Sequence, residues 1–223
     1  MALSNPLIEL NHIQYQLADG SAIADDLSFA LHEHERVAIT GANGSGKSTL
    51  FAIMMGLKKV KAGEVRLFNQ RCAKEADFAA FRTQIGLVFQ DPNDQLFCPT
   101  VIEDVCFGPL NQGVSQAQAL VIARNTLRQL NISHLENAIS YQLSGGQKRI
   151  VALATVLAMQ PKVLILDEPT NDLDQHHTQV LIDTLSQLSL PMVLVCHDSH
   201  IRSQLVSKEY QLDKGKLTLK QAK

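Results

Sequence analysis

The sequence contains no tryptophan and only three tyrosines in 223 residues. That scarcity speaks against an aromatic platform for carbohydrate or other flat ligands. A cationic excess is missing too: Lys and Arg total 20 against 22 Asp and Glu, for a formal charge of −2. Proteins that wrap nucleic acid carry a strong basic excess, because neutralising phosphates supplies much of their affinity. No direct nucleic-acid partner is therefore expected. Long apolar runs are also lacking. The longest, Val151 to Met159, is well short of the roughly 20 residues that span a bilayer, so any membrane role is expected to be peripheral. The opening residues MALSNPLIEL show no basic segment followed by an apolar one, and no secretory signal is expected. Cys72, Cys98, Cys106 and Cys196 form no CxxC pair and no zinc-type spacing. Free, mostly buried thiols in a reducing compartment are the reading.

What is present is a core. Hydrophobic residues make up 45% of the chain and charged residues 19%. A chain of this size buries about 70% of its unfolded surface. The length alone stands between one domain and two.

Periodicity and turn signals divide the chain into elements. Residues 7–16, 26–31 and 35–40 read as strands, with a turn at Asp19-Gly20. A helix is expected from Lys47 to just before Gly56, then a strand at 64–69, a helical stretch rich in Ala and Phe, and a strand from Ile85 to Phe89. Residues 91–114, with Pro92, Pro99, Gly108-Pro109 and Gly113, read as turn-rich with short apolar islands. Helices are expected at 115–130, from the Gly145 region to about Met159 where Pro161 stops it, and at 178–188. The apolar segments Val163–Leu166 and Met192–Cys196 read as buried parallel strands. A small hairpin around Asp213-Lys214-Gly215 closes the chain, within 204–220. The expected class is α/β, a single domain over 1–223 with antiparallel β elements and a helical subdomain inserted at about 92–160.

The strongest motif is Gly41-Ala42-Asn43-Gly44-Ser45-Gly46-Lys47-Ser48-Thr49, a full G-x-x-x-x-G-K-[ST] between an apolar strand and a helix. Its glycines let successive N–H groups point inward, making an anion nest at a helix N-terminus. Lys47 is expected to reach the β- and γ-phosphates, Ser48 to ligate Mg²⁺, and Thr49 to support the α-phosphate side. Downstream, Val163-Leu164-Ile165-Leu166 runs straight into Asp167 and Glu168. A carboxylate at the carboxyl end of a central strand suits a metal-held phosphate. Asp167 is expected to hold Mg²⁺ through water, and Glu168 to polarise the attacking water.

With those two motifs in place, Leu143-Ser144-Gly145-Gly146-Gln147 resembles the signature of the ABC-type ATPases. The resemblance runs from about residue 7 to 220 and implies a P-loop NTPase core that binds ATP and Mg²⁺ and hydrolyses the nucleotide. It implies that Ser144, Gly145, Gly146 and Gln147 contact the γ-phosphate of a nucleotide held by a second ATPase subunit, with Lys148-Arg149 adding positive charge. Gln90 is similar to the family's Q-loop glutamine, which senses Mg²⁺ and the attacking water. Asn171-Asp172-Leu173-Asp174 is similar to the D-loop, although its first residues depart from the commoner pairs. His197 matches the switch histidine on the γ-phosphate. The aromatic that stacks on adenine in the family has no counterpart at Leu17. Either Tyr15, two residues earlier on the strand, takes that place, or Leu17 makes a weaker apolar contact.

The stretch from Val88 to Pro109 resembles the ATPase subunits of energy-coupling factor importers for cobalt, nickel or biotin. It implies a transmembrane coupling subunit docked on this region, with Leu96, Phe97 and Val101 as apolar contacts, and a substrate-binding membrane subunit beyond it. The implied location is the cytoplasmic face of the membrane, and a homodimer suffices because one chain holds every residue type for one site. The chain ends soon after the hairpin, so pairing is expected through nucleotide and not through a C-terminal module. His32, His34, His176 and His177 are expected to be solvated surface. An ATPase for another solute, or one acting on ribosomes or DNA, remains the alternative, though the latter usually carries tandem domains or a long coiled insertion.

Overall fold

A computed structural model describes residues 5–171 and 173–220. In chain order its elements are β1 (Ile8–Gln16), β2 (Ala22–Leu31), β3 (Arg36–Thr40), α1 (Lys47–Met54), β4 (Ala62–Leu67), β5 (Gln70–Cys72), α2 (Glu75–Arg82) and β6 (Ile85–Val88). Then come α3 (Val101–Asn111), α4 (Gln116–Gln129), α5 (Gly145–Leu157), β7 (Val163–Asp167), α6 (Gln175–Gln187), β8 (Met192–Val195), α7 (Ser199–Leu205), β9 (Lys208–Asp213) and β10 (Lys216–Lys220). Two compact units emerge, one made of the residues up to Arg82 together with those from Leu190, the other of Thr83–Ser189.

In the first unit β1 pairs antiparallel with both β2 and β4, and β4 with β5. Ile8, Leu10 and Ile13 of β1 are fully buried, so the strand's apolar positions face inward until the alternation breaks. It breaks at His12, whose φ of 51° is left-handed, and the pairing with β2 shifts register there. The strand β3 lies parallel to β8 on one side and to β9 on the other. Its Val37, Ala38 and Ile39 are completely buried, as a strand with neighbours on both edges requires. The β9–β10 hairpin is antiparallel. The Asp25 N–H donates to the Gly215 carbonyl at 2.9 Å and ties the hairpin turn to β2.

In the second unit β6 and β7 pair in parallel. Every residue of β7, including Asp167, is buried. The helix α5 presents Ile150, Val151, Ala152, Leu153, Ala154 and Val156 to the interior. The strands expected to end at Leu166 and Cys196 end at Asp167 and Val195, and β2 begins four residues before Asp26.

One stretch differs in kind. Residues 101–111, taken from the sequence as turns and islands, form the helix α3. Thr100 and Glu103 close a capping box at its start, their side chains 2.6 Å apart. Pro109 lies within the helix, near its end, and supplies no N–H to the carbonyl one turn before it. Gly108 is there for proximity: a Cβ on it would sit 2.4 Å from Cγ of Met159. The Gly-Pro pair thus marks a close helix contact and not a turn. Val101, offered above as a docking contact, is 0% exposed and belongs to the core, because packing inside the unit covers the first helical position.

Candidate functional site

The phosphate loop starts from the buried strand β3 and ends at α1. Lys47 is 8% exposed, and its ammonium donates to the carbonyls of Gly41 and Ala42 at 3.0 Å each. The lysine therefore spans the mouth of its own loop. Gly46, at the N-cap of α1, has φ 99°, and no side chain caps the helix there. A Cβ on Gly46 would lie 2.3 Å from Cγ2 of Ile23, so β2 is packed down on the loop. No acidic residue occupies the first turn of α1, which leaves the positive end of the helix dipole uncompensated. Ser48 and Thr49 stand in that turn, and Ser48 is exposed. Asn43 and Gly44 form the exposed tip, and a Cβ on Gly44 would meet nothing within 4 Å. The Ser45 hydroxyl is buried without a hydrogen-bond partner among the described residues. An ammonium, hydroxyls and an unsatisfied buried polar atom at a helix N-terminus make a donor set for a polyphosphate.

The same unit carries His197 and Tyr15. His197 follows β8 and is exposed at the surface. Its backbone carbonyl accepts from Nη1 of Arg202 at 2.7 Å, and the same nitrogen reaches the Cys196 carbonyl at 2.9 Å. Arg202 is in turn paired with Glu209 at 3.1 Å. Asp198 caps α7, accepting from the His200 N–H at 2.7 Å. Tyr15 is half-buried and faces Ala24 across the β1–β2 pair. Leu17 is 40% exposed and lies beyond the last residue of β1. It belongs to the turn closed by the Gly20 N–H on its carbonyl at 3.0 Å, so the two-residue strand period does not relate it to Tyr15.

The second unit carries the carboxylates, Gln90 and the signature. Asp167 is 6% and Glu168 4% exposed. Glu168 adopts φ 49°, a left-handed conformation that costs a non-glycine residue about 1–2 kcal/mol. Such strain persists where the surroundings over-determine it, and it clusters at functional sites. Ser144 caps α5: its hydroxyl accepts from the Gln147 N–H at 3.3 Å, and the Gln147 side-chain oxygen accepts from the Ser144 N–H at 3.0 Å. Both residues thus build the helix start and also present it, with Gly145 exposed. Gly146 is backed by the imidazole of His177, whose Cγ would lie 3.1 Å from a Cβ there. That ring is fixed by Asp174, whose Oδ2 lies 2.7 Å from Nδ1. His177 is therefore half-buried support for the signature glycine and not the solvated surface expected, whereas His34 and His176 are exposed. Donations from the His177 N–H and ring hold the Asp174 carboxyl below the usual carboxylate range. Asp172 of the D-loop lies outside the described residues.

Arg149 departs most from its sequence reading. Instead of adding surface charge beside the signature, it is 8% exposed, and its guanidinium donates to the carbonyls of Gln90 and Glu168. Lys148 reaches the Asn93 side chain at 2.8 Å. Gln95 anchors the same loop from the other direction, donating to the Ala152 carbonyl and the Thr155 hydroxyl at 2.8 Å each. Arg202 and Gln95, which also hold backbone near the site, were given no role from sequence, and Arg149 was given a different one. The available signal for Arg149 was its place one turn before Leu153, on the inward face of α5.

A pocket of ≈ 320 Å³ opens between α3 and α4, lined by Cys98, Ile102, Cys106, Phe107, Leu110 and Leu120 among others. Phe97 is 63% and Phe107 46% exposed at this face, packed edge to face with ring centroids 4.7 Å apart. Two adjoining exposed rings beside an apolar pocket suit an interaction site better than a lone exposed side chain does. No helix of the described residues is long and apolar enough to cross a membrane.

A phosphate-binding loop, a strand ending in paired carboxylates and a helix start of the signature type capped by Ser144 define a P-loop ATPase of the ATP-binding cassette class. The ABC transporter family model matches residues 24–171, and the chain belongs to that family. It is 44% identical over 95% of its length to a putative ABC transporter ATP-binding protein of Brucella suis, covering 88% of that protein. It is 39% identical to the energy-coupling factor transporter ATP-binding protein EcfA of Methanothermobacter thermautotrophicus, over 95% of this chain and 69% of that one. With the cobalt import ATP-binding protein CbiO of Rhodobacter capsulatus it shares 40% identity over 91% of this chain and 74% of that one. The structure of cbiO1 from Clostridium perfringens, part of the transporter complex cbiONQ, superposes with a TM-score of 0.84 at 32% identity, covering 97% and 88% of the two chains. A dimeric ATP-binding cassette bound to ADP and Pi superposes with a TM-score of 0.85 at 26% identity, over 94% and 96%. The protein is an ATPase that binds ATP with Mg²⁺. Ser48 in the first unit, and Asp167 and Gln90 in the second, each carry oxygen of the kind a hard divalent cation takes.

Proposed function

We propose that this chain is the ATP-hydrolysing subunit of an energy-coupling factor type importer for a transition-metal ion, cobalt or nickel. The observation that carries it is the apolar groove between α3 and α4, with Phe97 and Phe107 open to solvent at its edge. An amphipathic helix lays its apolar face into such a groove. The occupant is a cytoplasmic helix of a transmembrane subunit, because a transporter ATPase with no spanning helix among its described residues takes its path from a partner. The similarity to CbiO and EcfA supports the cargo class and the branch of the family.

In this reading two copies of the chain form the working pair, seated on the cytoplasmic face of the membrane. Gly41, Asn43, Gly44, Ser45, Gly46, Lys47, Ser48 and Thr49 of one copy hold the phosphates, and Tyr15 lies against the adenine. Ser144, Gly145, Gly146 and Gln147 of the other copy close on the γ-phosphate, where their N–H groups stabilise charge that grows in the transition state. Bound Mg²⁺ supplies charge neutralisation on the transferred phosphoryl group. Glu168 takes up or orients the proton of the attacking water, Gln90 orients that water, and His197 holds the γ-phosphate. Closing and resetting of the pair is passed to the membrane partner through the groove.

The test is uptake. Membrane vesicles carrying this chain with the subunits that co-purify with it should accumulate radioactive cobalt or nickel with internal ATP, and not biotin. Glu168→Gln should bind ATP yet stop both hydrolysis and uptake. Replacing Leu96 and Phe97 by Asp should release the chain from its membrane partner with nucleotide binding intact. Accumulation of biotin alone, or retention of the partner by the double variant, would overturn the cargo or the docking assignment respectively.

A further inference from the structure

Within the second unit a single nitrogen connects the two segments on which hydrolysis is expected to depend. Nη1 of Arg149 donates to the carbonyl of Gln90 at 2.9 Å and to the carbonyl of Glu168 at 3.2 Å. These residues are 59 and 19 positions away in sequence. The guanidinium is buried, with Arg149 8% exposed, so its donors must be satisfied by protein groups. Its rigid planar fork fixes direction as well as distance, which an ammonium cannot do.

We propose that Arg149 is a positioning residue for ATP hydrolysis, holding the backbone at Gln90 and at Glu168 in one fixed relation so that both side chains are aimed by the same group. The inference rests on the reading that Glu168 and Gln90 act on the attacking water. Glu168 sits in a strained left-handed conformation, and such a conformation needs external constraint. A donor on its own carbonyl is one such constraint. Arg149 also belongs to the second turn of α5, the helix that Ser144 caps. A rotation of the signature helix therefore reaches both segments through one side chain, which couples the signature to water activation inside a single subunit.

Other contacts make this testable without dismantling the loop. Gln95 and Lys148 tie residues 93 and 95 to α5 independently of Arg149. The purified chain carrying Arg149→Met or Arg149→Lys is assayed for ATP hydrolysis against ATP concentration, with thermal unfolding in parallel. Misplaced catalytic groups cost about 10- to 100-fold. Arg149→Met should lower kcat by that factor with KM for ATP changed by less than about twofold, and Arg149→Lys should recover part of the loss. A folded Arg149→Met protein with wild-type kcat overturns the proposal. If that variant lacks a cooperative unfolding transition, Arg149→Lys decides: a fall in kcat at constant KM supports the role, and wild-type kcat overturns it. Combining Arg149→Lys with Gln90→Ala should cost less than the product of the separate losses, since residues acting through one another are non-additive. Full multiplication of the losses would overturn the link. Glu168→Gln separates the two levels. Wild-type turnover in Glu168→Gln removes the underlying reading of the site, whereas an inactive Glu168→Gln beside an unimpaired Arg149→Met removes this inference alone.

Discussion

The hydroxyl of Ser140 donates to the carboxylate of Asp104 at 2.6 Å, and both residues are buried. The other oxygen of Asp104 accepts the N–H groups of Phe97 at 3.0 Å and Cys98 at 2.8 Å. One carboxylate therefore fastens the edge of the apolar groove to the turn that leads into the signature. Removing it leaves buried donors without an acceptor. Asp104→Ala should lower the unfolding free energy by about 3 kcal/mol, and Asp104→Asn by less, because the amide oxygen still accepts. Urea unfolding of the two variants measures the ranking, and an Asp104→Ala protein as stable as wild type would refute it.

The same carboxylate controls a thiol. Burial first, and then the Asp104 charge, push Cys98 up to about 11. At pH 8 only about one thiol in a thousand is then ionised, and the thiolate is the nucleophile. Labelling of Cys98 with a maleimide at pH 8 should run roughly 100-fold slower than labelling of a free cysteine of pKa about 8.5. Asp104→Asn should speed it. Peptide mass spectrometry over a time course reads both rates, and labelling as fast as free cysteine would contradict the proposed cause.

Gly46 is required by two independent features, its left-handed φ of 99° and the 2.3 Å approach of Ile23 to the place of a Cβ. Gly46→Ala should weaken ATP binding, with the backbone strain alone worth about 1–2 kcal/mol. Adding Ile23→Ala removes the clash and leaves the strain, so binding should return in part. Titration with a fluorescent ATP analogue distinguishes the cases; full recovery would show that the backbone conformation is of no consequence.

The Glu35–Lys208 pair makes the first unit pH-dependent. Burial raises Glu35, but donations from Lys208 and the His32 N–H, with the Lys208 charge, outweigh it and hold the carboxyl below its ordinary 4.5. Donation to Glu35 raises Lys208 above 10.5 against the opposing effect of burial. A lowered acid stabilises the fold above 4.5, and that contribution is lost as pH falls through the folded value. A raised base stabilises it below 10.5, and that contribution is lost as pH rises through the folded value. The Lys208 side chain is 45% exposed, so solvent screening limits the pair to about 1 kcal/mol or less. Glu35→Gln should lower the melting temperature at pH 7 and lower it less at pH 3, because the carboxylate's contribution is lost as pH falls through its folded value. An equal drop at both pH values would place the effect in packing instead of charge.

How much of this was legible beforehand follows from the range of each interaction. The helix after Lys47 and its end before Gly56, the buried strand before Asp167 and the capped start of α5 are all dictated by neighbours in sequence. Glycines where the backbone must turn, apolar runs where both strand faces are covered, and a Ser three residues before a Gln each act within a few positions. The helix α3 was missed because Gly108-Pro109 has a local meaning, a turn, that a contact with Met159 overrides. Val101 was assigned outward for the same reason: its burial comes from packing inside the unit, which neighbours in sequence do not display.

By itself, then, the sequence determined the chemistry, a phosphate loop, paired carboxylates and a signature in the order of one family, because those motifs are short and each requires its own residues in place. The tertiary structure decided what holds them. Arg149 against Gln90, Asp104 against Ser140 and Arg202 against the His197 carbonyl are bonds made by side chains that look like ordinary surface charge in one dimension. Only folding, by burying them, leaves distant backbone and side-chain groups as the partners their charges require.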